Sequence, residues 1–170
     1  MIEICCQMHY NSKIANTIQS RMKIYTDGSN TYNGKPYSYG GYGWVMVFED
    51  TIIKGGGSMP VNEEVPVTNN RAELMAIIHS LQTVIDNQLF FDTININSDS
   101  QWCVQCANLK WKRIANRDLW DEYGHIIHTL RKNGVTVSVN WVRGHNGDEY
   151  NEMADQLAGE YAARLGFQSQ

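Results

Sequence analysis

Two stretches of this 170-residue chain run as alternating strands into an aspartate, and that repetition narrows the folds open to it. Lys23-Ile24-Tyr25-Thr26-Asp27 leads into Gly28-Ser29-Asn30, and Thr93-Ile94-Asn95-Ile96-Asn97-Ser98 leads into Asp99. Side chains alternate along a strand, so Ile24 and Thr26 take one face and Tyr25 and Asp27 the other. A glycine after Asp27 lets the backbone bend, so the first strand is read as Met22–Ser29 with the acid at its end and a turn beyond. Sites in sheets with parallel strands form at the carboxyl ends of those strands. Two acids delivered to such ends prompt a search for more.

The remaining chain supplies a consistent frame. Gly41–Glu49 and Thr51–Met59 read as strands joined by a tight turn at Glu49-Asp50, completing an antiparallel meander with the first strand. Gly55-Gly56-Gly57 lacks the following Gly-Lys-Ser/Thr and helix of a phosphate loop, and marks instead a strand that passes close to another element. Pro60 and Pro66 bound a loop. A helix then starts near Asn69-Asn70 with Asn as its N-cap, and Leu74, Ile77, Ile78, Leu81, Val84 and Ile85 recur at helical spacing. Glu73 falls in the first turn of that helix, where the dipole alone could account for it. After Asp99, Ser100–Lys110 reads as a short helix. Asp118–Asn133 is a helix closed by Gly134, and Val135–Val142 is a strand. Arg143–Gly147 is a loop, and Asp148–Leu165 is a last helix with Asn151 and Asp155 on one face. The order β-β-β-α-β-α-α-β-α predicts an α/β fold: a five-stranded mixed sheet, three antiparallel strands then two parallel, with helices on both faces.

Composition bounds the partners more than the fold. A hydrophobic content of 42% is ample for one core, and the length fits one domain. Residues 1–21 show no clear period and are set apart as an N-terminal extension, with 22–166 as the domain and 167–170 as a tail. No run is long enough to span a bilayer. Met1–Cys6 carries an acid and no basic n-region, so it is not a secretory signal, and a cytoplasmic, reducing compartment is expected. Cys103 and Cys106 resemble half a zinc site, but Cys5 and Cys6 lack the matching spacing, so all four are read as small hydrophobes. The net charge of −4 argues weakly against a dedicated nucleic-acid binder. Carboxylates that hold metal ions would count in that total. The one basic stretch, Leu109–Ile114 with Arg117 beyond, is either a solvated face or a contact to nucleic-acid backbone.

Asp27, Glu73, Asp99, His145 and Asp155 are the candidates for chemistry. Converging carboxylates repel one another, and bound hard cations relieve that repulsion. Oxygen-only ligation suits Mg²⁺ or Mn²⁺. Two such ions about 3.5–4 Å apart stabilise the attacking and leaving oxygens of a phosphodiester. A loop histidine can transfer protons beside them.

Five segments carry a resemblance. Tyr25-Thr26-Asp27-Gly28-Ser29, Thr68-Asn69-Asn70-Arg71-Ala72-Glu73-Leu74, Ser98-Asp99-Ser100-Gln101, Trp141-Val142-Arg143-Gly144-His145 and Asn151-Glu152-Met153-Ala154-Asp155 resemble, in order, the signature motifs of type 1 ribonuclease H (RNase HI). The resemblance covers roughly residues 22–165. It implies endonucleolytic hydrolysis of the RNA strand of RNA–DNA hybrids with two Mg²⁺ ions, Mn²⁺ being able to substitute, to give 5′-phosphate and 3′-hydroxyl ends. By motif matching, Asp27 touches both metals, Glu73 and Asp99 complete one site, Asp155 the other, and Gly28 adjoins them. His145 assists proton transfer or product departure. Gly28, Ser29, Asn30, Asn69, Asn70, Gln101 and Asn151 match the substrate-contacting side, where the 2′-hydroxyl distinguishes RNA from DNA. Thr68 and Asn116 match positions that hold a DNA-strand phosphate, and Trp102 and Trp111 match aromatics that pack on DNA sugars. The long basic protrusion of many members is reduced to Lys110, Lys112, Arg113 and Arg117. Weaker hybrid binding or a protein partner that aids it is therefore expected of what is otherwise a monomer. The rivals are another metal-dependent nuclease or strand-transfer enzyme of the same fold, and a catalytically silent hybrid-binding module.

Overall fold

The alternating segments form strands and the periodic ones form helices in the predicted order. The computed structural model describes residues 19–166; the segment 1–18, with Cys5 and Cys6, and the tail 167–170 lie outside the described residues. The elements are β1 (Arg21–Thr31), β2 (Tyr39–Phe48), β3 (Thr51–Met59), α1 (Asn69–Asp86), β4 (Thr93–Ser98), α2 (Gln101–Ala107), α3 (Arg117–Lys132), β5 (Thr136–Trp141) and α4 (Glu149–Gly166). The sheet order is β3-β2-β1-β4-β5. β1, β2 and β3 pair antiparallel, and β4 pairs parallel with both β1 and β5. Among the described residues, no helix is long and apolar enough to cross a membrane.

The two faces of β1 organise the packing as the alternation requires. Ile24 joins Leu74, Ile77 and Ile78 of α1 and Ile126 and Leu130 of α3 in the larger core. Tyr25 packs on the opposite face with Val45, Ala154, Met153 and Leu157, under α4. Cys103 and Cys106 are buried in the larger core as free thiols, as expected of small apolar side chains.

The structure differs from the sequence expectation at β1. The strand does not turn after Asp27. It continues to Thr31, paired with β2 from Asp27↔Gly43 to Thr31↔Tyr39, while its parallel pairing with β4 stops at Thr26↔Ser98. β2 still satisfies the backbone there, so a bend has no driving force. Asp27 therefore lies mid-strand, at the place where the neighbour ends. Gly28 is not needed for a turn either. A Cβ at this position would collide with the backbone of Ala72 and Glu73, so the glycine lets α1 lie directly against β1. The triple glycine of β3 follows the same logic, as expected: a Cβ at Gly55 or Gly57 would enter the rings of Trp44 or Tyr42.

Helix ends also moved. The N-cap of α1 is Thr68, not Asn69: its hydroxyl oxygen accepts the Arg71 amide at 3.1 Å. Ser100 caps α2 by accepting the Cys103 amide at 3.3 Å. α2 stops at Ala107, short of Lys110, as Leu109 enters the left-handed region and the Lys110 amide reaches back to the Gln105 carbonyl at 2.9 Å, and Arg113 folds back over this end. Its guanidinium donates to the Cys106 and Ala107 carbonyls at 3.0 and 3.2 Å, and lies 4.4 Å from the centre of the Trp120 ring. The Cys106 carbonyl also accepts the Leu109 amide at 3.2 Å, so Arg113 adds a second donor there and supplies one to the Ala107 carbonyl, which the helix end leaves open.

Candidate active site

Three elements bring three carboxylates together. Asp27 comes from β1 and Glu73 from α1. Asp99 is the first residue past β4. Each offers an oxygen within 4.8 Å of the others'. Glu73 is not in the first turn of α1, as expected from sequence, but one turn further in and 4% exposed. The helix dipole falls off within the first turn and does not explain an acid buried there. Its Oε2 is buried without a hydrogen-bond partner.

The electrostatics follow from this burial. Desolvation, then a hydrogen bond to the Asp155 carboxyl and the charges of Asp99 and Asp155, push the Asp27 carboxyl up to about 8. Burial and the charges of Asp27 and Asp99 hold Glu73 well above the ordinary carboxylate range, against the Gly28 amide, which bonds to it. The charges acting on these two acids are all carboxylates. An oxygen-only cluster without a cationic side chain among those partners, and with one buried oxygen unbonded, fits a hard divalent cation. Asp155, on the exposed side of α4, reaches Asp27 but lies outside the group of three. α4 can approach because a Cβ at Gly41 or Gly43 of β2 would meet its backbone.

The other sequence candidates surround this cluster unevenly. Ser29 and Asn30 extend along β1, and Gln101 is exposed at the start of α2. Asn70 is half-buried in the first turn of α1. Asn151 is 3% exposed, its Oδ1 without a partner. His145 is exposed in the loop after β5, at φ +50°. Trp102 packs against Trp120 with ring centres 5.7 Å apart and is half-buried, whereas Trp111 is 47% exposed. Asn116 precedes α3 in the left-handed region and uses its Oδ1 to accept from Arg71 at 3.2 Å. Of the basic remnant, Lys110, Lys112 and Arg117 are exposed, but Arg113 is committed to α2 and the Trp120 and Tyr123 rings.

Sequence reasoning missed two connectors. Asn33, in the turn after β1, accepts the Asn69 amide at 2.9 Å and the Asn30 side chain at 3.2 Å, so it joins two candidate substrate segments. Arg71 pairs with Asp118 as well as Asn116 and thereby ties α1 to the start of α3. The glycine following Asn33, at φ +71°, signalled the turn but not the contact across 36 residues.

A concavity of about 690 Å³ is lined by Met59–Val65, Arg71 and Met75, and none of the candidate carboxylates lines it. The carboxylates meet instead where β4 ends beside the central strand β1.

Residues 19–163 match the RNase H family model. The chain belongs to the RNase H family. Ribonuclease HI of Campylobacter jejuni is 32% identical over 148 residues, spanning 85% of this chain and 92% of that protein. RNase H1 of the halophilic archaeon Halobacterium salinarum, a crystal structure, superposes with a TM-score of 0.64 at 28% identity, covering 85% of this chain and 98% of that one. LC11-RNase H1, solved with an RNA/DNA hybrid, shares the fold with a TM-score of 0.64 at 22% identity, over 84% of this chain and 97% of its own. Membership in the RNase H family places the chain among ribonuclease H enzymes.

Proposed function

We propose that this chain is an endonuclease that hydrolyses the RNA strand of RNA–DNA hybrids and leaves 5′-phosphate and 3′-hydroxyl ends. The meeting of Asp27, Glu73 and Asp99 from three elements carries this reading. The relatives named ribonuclease H and the hybrid bound by LC11-RNase H1 support the substrate class.

The donor set is assigned to two Mg²⁺ ions, with Mn²⁺ able to substitute. When bound, such a pair supplies an activated water and neutralises charge on the phosphate. Asp27 is assigned to both ions, Glu73 and Asp99 to one, and Asp155 to the other, with Gly28 beside them. Asp27 neighbours both Asp155 and Glu73, donating to the first and accepting from the second, which supports its place between the two sets. The Gly28 amide orients Glu73. His145, exposed on its loop, is assigned to give or take a proton at the leaving oxygen. Ser29, Asn30, Asn69, Asn70, Gln101 and Asn151 are assigned to the RNA strand, Thr68 and Asn116 to a DNA phosphate, and Trp102 and Trp111 to DNA sugars. With its Oδ1 held by Arg71, Asn116 has its amide N–H groups left to donate to an anion.

The test is incubation with labelled RNA–DNA hybrid, RNA–RNA and DNA–DNA duplexes in Mg²⁺ and in EDTA. Cleavage of the hybrid's RNA strand alone, abolished by EDTA, is expected. Equal cleavage of all three, or cleavage in EDTA, contradicts the proposal. His145→Ala is expected to slow turnover about 10²-fold without stopping it. An unchanged single-turnover rate would remove His145 from the chemistry.

A further inference from the structure

Asp99 stands where two well-fixed neighbours leave one residue to be held by something else. Ser98 is paired in the sheet with Trp141, and its carbonyl accepts the Val142 amide at 3.0 Å. Ser100 is fixed as the cap of α2, and its amide donates to the Ser98 hydroxyl at 3.1 Å. Asp99 itself meets the segment after β5 at two points. The Trp141 indole N–H donates to the Asp99 carbonyl at 3.2 Å. Gly144 lies so near the carboxylate that a Cβ there would collide with Oδ2 and come 3.2 Å from Cγ.

Trp141 is an unusual place for a large apolar ring. Alternation puts it on the same face as Val137 and Val139, which pack in the larger core. The strand outruns that core at Trp141, whose ring is 55% exposed. Burial therefore does not hold the indole there, and its contact with Asp99 is what the position provides. Gly144 does not have a positive φ, so turn geometry does not demand glycine at this point. The room it leaves is occupied by the Asp99 carboxylate.

We propose that Trp141 and Gly144 are positioning residues for Asp99: the segment that carries His145 also fixes the carboxylate that β4 presents to the metal. This rests on the reading of Asp99 as a metal ligand. Outer groups that orient a ligand without touching the ion affect metal affinity measurably.

The experiment measures Mn²⁺ affinity of the metal-free chain by thermal shift, with no nucleic acid present, for wild type, Trp141→Phe, Gly144→Ala, Asp99→Asn and Trp141→Phe/Asp99→Asn. Trp141→Phe keeps an aromatic side chain and removes the indole N–H donor. The expected result is about a tenfold rise in the half-saturating Mn²⁺ concentration for Trp141→Phe and for Gly144→Ala. In the Asp99→Asn background, Trp141→Phe should add nothing further, because its effect runs through that carboxylate. Unchanged affinity in Trp141→Phe, or a loss that adds fully to that of Asp99→Asn, overturns the proposal. The Asp99→Asn variant separates the two levels: if it alone leaves Mn²⁺ affinity intact, the ligand reading falls, and this proposal with it. Melting temperatures without metal, compared across the set, identify any variant whose loss is general unfolding, and Gly144→Ala then stands as an independent check on Trp141→Phe.

Discussion

Asp27 is a carboxylate kept near neutral by its surroundings, and that has a consequence for stability without metal. Its folded value of about 8 exceeds the ordinary 3.8. The neutral form is thus favoured in the fold, and the stability it gives is complete below about pH 4 and lost as the pH rises through about 8. In EDTA, Asp27→Asn should therefore become increasingly more stable than wild type as the pH rises, by roughly 1–3 kcal/mol near pH 8. Thermal melts across that range check it, and Mg²⁺ should narrow the gap by stabilising the wild-type carboxylate. A difference independent of pH would contradict the proposed environment of Asp27. Arg113 offers a second residue-scale prediction. Arg113→Ala should cost about 1–3 kcal/mol in denaturant melts, because the Ala107 carbonyl loses its donor, the Cys106 carbonyl loses one of two, and two rings lose a stacked cation. It should leave the salt dependence of hybrid binding unchanged. Lys112→Ala, at an exposed position, should instead reduce the salt slope by about one without loss of stability.

At the scale of elements, the site depends on close approach. β1, α1 and α4 meet because Gly28, Gly41 and Gly43 have no Cβ to keep the helices away. Gly28→Ala should push α1 off β1 and cost roughly 1–3 kcal/mol, read as a lowered midpoint in denaturant. A neutral result would show that α1 can shift without strain. Period and alternation identified every one of the nine elements, because amphipathic patterning is local information. What they did not reveal was the reason for Gly28, since the Ala72–Glu73 backbone that excludes a side chain is 44 residues distant in sequence. The extension of β1 past Asp27 was hidden for the same reason: its pairing partners Tyr39–Gly43 could not be assigned to Asp27–Thr31 from the glycine alone. Arg113 looked like a free cation within a basic run, and only the position of the α2 carbonyls shows otherwise.

For the whole molecule, the sheet is the device that turns sequence order into a site. β4 ends one residue before Asp99, and β1 passes on beside it with Asp27. α1 and α4 then close on the two faces of β1 with Glu73 and Asp155. The four acids were legible as candidates because each falls within a recognisable motif, although only Asp99 sits at an element boundary. Their depth was not: Glu73 proved buried and Asp155 exposed, a difference that depends on packing around the helices. The central claim is that this carboxylate cluster performs hydrolysis, not merely binding. It is tested most directly by single-turnover cleavage of labelled RNA–DNA hybrid in Mg²⁺ by wild type and Asp27→Asn, with hybrid affinity measured in the same buffer. The account predicts cleavage by wild type, none by Asp27→Asn, and affinities within a few-fold of each other; cleavage that survives in Asp27→Asn would contradict it.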